Sequence, residues 1–218
     1  MPPTPQPYPS YARAARIADG TIHALGVALA LTGVVLLIVC AALWAKGGAG
    51  QVAAVAVYGG ALLASLVASA CYHMTPWERL RPTLRRIDHA AIYLKIAGTY
   101  TPLVVLIGSA FSYAVLAAVW ALAVLGAVLK LAFWRNPGRL ATAFYLLLGW
   151  ASVLLIWPLV QTLPIAALLL VLCGGLLYSA GVIFFNWDGL TYANPIWHGF
   201  VLAASGCFYA AITLGTFA

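Results

Sequence analysis

The stretch TIHALGVALALTGVVLLIVCAALWA, residues 21–45, contains no Asp, Glu, Lys or Arg. As a helix it would rise about 37 Å, more than the roughly 30 Å hydrocarbon core of a bilayer. Six more apolar blocks follow, at residues 52–74, 87–107, 110–133, 140–157, 164–185 and from 195 to the C-terminus. The connections between them are short, so consecutive helices are expected to be antiparallel neighbours. The expected fold is all-α, a polytopic membrane protein with seven transmembrane helices and a cytoplasmic N-terminus. Composition agrees: hydrophobic residues make up 65% of the chain and charged residues 7%. A water-facing domain normally carries about 25% charged residues.

Two units are expected: a disordered Pro-rich cytoplasmic tail over residues 1–16, and a seven-helix transmembrane domain over residues 17–218. Residues 1–10 read MPPTPQPYPS, and prolines at that density forbid a helix. The first apolar block is too long for the 7–15-residue core of a signal peptide.

The net charge of +7 does not indicate a nucleic-acid partner, because the basic residues sit in the gaps between apolar blocks. With the N-terminus inside, Arg13, Arg16, Arg79, Arg81, Arg85, Arg86, Lys130, Arg135 and Arg139 all fall on the cytoplasmic side. Lys46 alone falls outside, and Lys95 lies within the third span. That asymmetry orients the chain, places the segments 76–86 and 134–139 in the cytoplasm, and puts the C-terminus on the far side. Trp44, Trp77, Trp134, Trp157, Trp187 and Trp197 lie near the expected span ends, as an aromatic belt does. Trp120 and Trp150 lie deeper and are expected to pack between helices. Cys40, Cys71, Cys173 and Cys207 all lie inside apolar blocks, with no CxxC pair, and read as small buried apolar residues.

Polar groups inside a bilayer are costly and mark function. His23 opens the first span, Ser69 and His73 close the second, Asp88 and His89 open the third, and His198 opens the seventh. In the orientation above, every one lies at the cytoplasmic end. Ser69 and His73 are four residues apart and share a helix face. Asp88 and His89 diverge by about 100°, so only one of them can aim where His73 does. Two imidazoles and a carboxylate form a catalytic zinc ligand set with one open position. The plainer readings are that Asp88 caps the third helix, that the histidines contact headgroups, and that Ser69 serves packing. Lys95 lies about 10 Å deeper than Asp88 on the same face, with Asp88 as a candidate partner.

The stretch DHAAIYLKIAGTYTP, residues 88–102, resembles the signature of the hemolysin III family. So do SACYH at residues 69–73, IWH at 196–198 and the start of the first span at 17–26. The resemblance covers nearly the whole chain from Ile17 onward. Hemolysin III proteins are grouped with progestin and adipoQ receptors and are more distantly similar to alkaline ceramidases. The resemblance implies a bacterial-type inner (plasma) membrane location and seven helices around a cytoplasmic-side zinc. Carried over, the metal residues are His73, Asp88 and His198, with Ser69 and Asp88 catalytic; Asp88 acts directly or through a bound water. Asn194 stands where the family pattern has the first histidine of H-x3-H, and Phe208 where a further histidine is usual. Asn194 is therefore a replaced ligand and His23 an outer one. The alternative reading of Asn194 is a cap ahead of Pro195.

The functional expectation is a zinc-dependent hydrolase of lipid amides or esters, with membrane lipids as partners. The alternatives are a non-enzymatic membrane protein that senses lipid or binds a partner, and a pore-forming cytolysin-like protein. A pore needs a polar stripe through the membrane, and spans four to six show almost none.

Overall fold

The computed structural model describes residues 12–132, 139–187 and 189–218. Its elements are α1 (Arg13–Trp44), α2 (Gly48–Met74), α3 (Arg81–Ile107), α4 (Ala110–Ala132), α5 (Arg139–Trp150), a 3₁₀ segment (Ala151–Leu155), α6 (Ile156–Thr162), α7 (Ile165–Phe185) and α8 (Ala193–Phe217). Seven helical stretches are long and apolar enough to cross a membrane; α5, the 3₁₀ segment and α6 together make the fifth. The chain is an all-α, seven-span membrane protein, as the hydropathy pattern requires.

Three boundaries differ from the sequence expectation in ways that matter for the site. Helix α1 starts at Arg13, inside the stretch assigned to the tail, so Asp19 and His23 lie on helical turns. The rest of that tail lies outside the described residues. Helix α3 starts at Arg81, with proline in its first turn, where the missing N–H costs nothing. Asp88 therefore stands two turns inside the helix and does not cap it. The fifth span is broken, with Pro158 in the first turn of the segment that resumes after the 3₁₀ turn. Proline cannot supply the N–H that a continuous helix would need there.

Helix α3 is the centre of the bundle and the least apolar of the seven spans. It packs against α2, α4, α5, α6 and α8, while contact between α1 and α8 closes the ring. A span surrounded by protein need not present lipophilic side chains, and α3 buries Ala90, Ala91, Ala97 and Gly98 instead. Gly98 lets α2 approach: a Cβ there would stand 2.6 Å from the Cβ of Ala61. Gly108, at φ 70°, ends α3 in a left-handed turn open to glycine.

The outer faces of the helices are apolar, as a lipid environment demands. Trp44, Trp77, Trp157 and Trp187 are exposed, and Trp134 lies outside the described residues. Trp120 donates from Nε1 to Thr101 at 3.1 Å, bridging α4 to α3. Trp150 bonds Ser179 on α7 at 3.0 Å but keeps an exposed ring. The cysteines correct the expectation of burial: Cys71 and Cys173 are exposed and Cys40 and Cys207 half-buried. On a bilayer-facing surface a thiol is at home without being buried.

Two predictions follow from this architecture. Reporter fusions should give cytoplasmic signals at Arg81 and Gly138 and a non-cytoplasmic signal at Ala218; a cytoplasmic signal at Ala218 rules out this orientation of seven spans. Replacing Gly98 with valine should destabilise the bundle by about 1–3 kcal/mol through overpacking at Ala61, measured as a lowered melting temperature in detergent.

Candidate metal centre

The first turns of α1 set the site. Asp19 and His23 are four residues apart on one face and both are buried, with 4% and 6% exposure. His23 Nδ1 lies 2.8 Å from the backbone oxygen of Asp19. A carbonyl only accepts, so Nδ1 carries the proton. In the neutral ring Nε2 is then an acceptor, and it faces the Ser69 hydroxyl at 3.3 Å. Both nitrogens of His23 are thereby engaged.

The carboxylate of Asp19 lies among three imidazoles, with its Oδ1 3.7 Å from His23 Nδ1. His198 Nδ1 lies 2.6 Å from its Oδ1, and His73 Nδ1 lies 3.7 Å from its Oδ2. The ring centroids of His73 and His198 are 4.5 Å apart, and His23 stands 4.4 Å from His198 and 5.4 Å from His73. One carboxylate oxygen of Asp19 and one nitrogen from each of His73 and His198 lie within 4.8 Å of one another. Zinc bonds to oxygen and nitrogen are about 2 Å long, so small side-chain adjustments bring these donors onto one ion.

Asp88 and Ser69, the other residues expected here, stand beside this triad. Asp88 hydrogen-bonds with Ser69 and has His198 and Lys95 as charged neighbours. The carboxylate in the ligand-distance set is thus Asp19, where the sequence reading had Asp88. Ser69 has one proton, so it donates either to His23 Nε2 or to Asp88, and it couples the two. His89 lies outside the triad, as its divergence from Asp88 requires, with Arg85 and Lys130 as charged neighbours. Tyr145 donates to its backbone oxygen at 3.1 Å.

Asn194 sits in the first turn of α8, whose N-cap position is Tyr192. No side-chain hydrogen bond caps this helix, so the capping reading of Asn194 is not supported. Lys95, buried in α3, holds its ammonium 5.0 Å from the centroid of the Tyr178 ring. Tyr178 in turn bonds Ser205 of α8 at 3.0 Å. Asp88 is an electrostatic neighbour of Lys95, while the ring of Tyr178 is its contact.

The missed residue is Asp19. Starting the first span at Thr21 left it just ahead of the span, although its i,i+4 spacing to His23 was readable.

Comparison with known proteins identifies the family. The "Hemolysin-3 homolog" of Bacillus subtilis (strain 168) is 35% identical over 199 residues, covering 90% of this chain and 92% of that protein. "Hemolysin-3" of Bacillus cereus is 34% identical over 197 residues, covering 90% and 89%. The human "Monocyte to macrophage differentiation factor" is 30% identical over 166 residues, covering 72% and 67%. The profile of the "Haemolysin-III related" family matches residues 15–209, which span every residue of the polar cluster. By that match, and by the likeness to both bacterial hemolysin-3 proteins, the chain belongs to the haemolysin-III-related family of membrane proteins.

Proposed function

We propose that this chain is a zinc-dependent hydrolase of lipid amides or esters, acting at the cytoplasmic side of a bacterial inner membrane. The observation that carries the reading is the convergence of Asp19, His73 and His198 from three helices at one end of the bundle. A buried carboxylate and two imidazoles suit zinc and leave a coordination position open for chemistry. When bound there, zinc would polarise a carbonyl and lower the pKa of water to about 7.

The remaining work falls to this chain's own groups. The Asp88 carboxylate is placed to take and return a proton. The Ser69 hydroxyl is placed to donate to a developing oxyanion. His23, fixed by the Asp19 carbonyl, keeps Ser69 oriented between itself and Asp88. Substrate is membrane lipid, because the connections that the structure describes are short and build no soluble pocket over the cluster.

Asp19 also answers the replaced histidine at Asn194. An amide oxygen is a poor zinc ligand beside an imidazole, and Asp19 supplies a strong third donor from α1 instead. His198 and Asn194 share a helix face, so a histidine at 194 can be brought to the same ion.

The purified protein should contain zinc by elemental analysis. Asp19→Asn and His73→Ala should each weaken zinc by roughly 100-fold or more, beyond the 10–100-fold typical of outer partners. Asn194→His should tighten zinc in the parent and restore it in the Asp19→Asn background, but not in His73→Ala. A double variant no better than Asp19→Asn alone would remove Asn194 from the metal face.

Against a panel of short-chain amide and ester lipids, Ser69→Ala should lower kcat by about 10²–10³-fold, as loss of an oxyanion donor does. It should leave zinc content unchanged. A zinc-loaded protein that cleaves none of the panel sinks the hydrolase reading while leaving the metal site standing.

A further inference from the structure

A groove of about 700 Å³ runs along the lipid-facing side of α1 and α2. Its α1 wall is made of Gly20, Ala24 and Ala28, three small residues spaced one turn apart. Its α2 wall includes the exposed Cys71. His23, whose Nε2 faces Ser69, forms part of the lining, so the groove reaches the edge of the polar cluster at that ring. Trp77 and Leu84 roof the cytoplasmic end.

Above that roof the surface is basic. Arg13 and Arg16 lie seven and four residues before Gly20, on the face of α1 that carries the groove. Arg79 is exposed on the connection between α2 and α3. Arg81 donates from Nη2 to the backbone oxygen of Thr75, a residue of the lining, at 2.9 Å. Glu78 is the one acid in the 76–86 segment.

We propose that this groove binds one acyl chain of an anionic glycerophospholipid and delivers its ester to the metal centre. The proposal rests on the hydrolase reading and deepens it by naming the substrate class and its point of entry. The order of chemistry down the groove matches the order along such a lipid. A phosphate meets the arginines at the rim. The ester below it reaches the level of His23 and Ser69. The acyl chain then lies against Ala24 and Ala28, with nothing to desolvate. A zwitterionic lipid offers the same chain and ester but carries a cation toward the arginines, so the rim discriminates by charge.

Cys71 makes the groove testable in the full, unaltered chain. A membrane-permeant maleimide should alkylate Cys71 and Cys173 in detergent, read by peptide mass spectrometry. Added dioleoyl phosphatidylglycerol should slow alkylation of Cys71 and leave Cys173 on α7 unaffected. Dioleoyl phosphatidylcholine at the same mole fraction should protect more weakly, by about five-fold for each rim arginine engaged. Arg13→Gln with Arg16→Gln should narrow that difference, and Ala24→Leu with Ala28→Leu, which fills the groove, should abolish saturable protection.

His73→Ala should lose zinc yet keep protection, which separates the groove from the metal. Protection without turnover would leave the binding site intact while removing the hydrolase reading. Equal protection by the two lipids, or none by either, overturns the proposal, and the unmodified chain gives that answer even if a groove-filling variant fails to fold.

Discussion

The carboxylate of Asp19 sits 4% exposed inside a membrane bundle, and the cytoplasmic end of the structure is organised around satisfying it. An isolated carboxylate in a low-dielectric interior is prohibitively costly, so it must be paired or bound to a metal. Asp19 meets the requirement with imidazoles from α2 and α8, and its own carbonyl takes the proton of His23. Three helices distant in sequence are thereby tied at one point. Because α1 and α8 meet there, the same cluster helps close the ring around α3.

What the sequence made legible was set by period and composition. Seven apolar blocks are unmistakable because so few charges interrupt them, and the cytoplasmic bias of arginine adds an orientation. The common depth of His23, His73, Asp88 and His198 in their spans points to a polar cluster at one end of the bundle. Details failed where a boundary decided meaning. A hydropathy edge marks where lipid begins, and a helix can extend past it into the interface. Asp19 lies in such an extension and was overlooked, and the extension of α3 back to Arg81 removes the capping role offered to Asp88. Which carboxylate faces the imidazoles depends on helix rotation, and hydropathy in a bundle core carries little information about rotation.

Asp19 and Asn194 together bear on which donors the proposed metal site has. A ligand contributed by α8 in the family pattern is missing, and the strong donor stands on α1, the helix that packs against α8. In the proposed site a carboxylate takes the place of the imidazole that the resemblance implies, with His73 and His198 beside it. Asp19 stands one turn before His23, whose ring joins the Asp19 carbonyl to the Ser69 hydroxyl.

The family name invites a pore, and the packing argues against one in this chain. Below the polar cluster the interior holds Lys95, Tyr178 and Ser205, engaged with one another. Farther toward the opposite face, Val55, Val104 and Ile212 come from three different helices and are fully buried. Small residues such as Gly98 let α2 and α3 approach closely at this level. A water-filled path would need polar groups at that depth facing a space, and Gln51 there instead donates to the backbone oxygen of Thr216 at 3.1 Å. The buried histidines and acids lie at one end, and the far end is mainly apolar around Gln51, Ser112 and Thr216. That asymmetry suits a protein that works on one leaflet, because chemistry placed at the cytoplasmic end reaches lipid there without opening the barrier behind it.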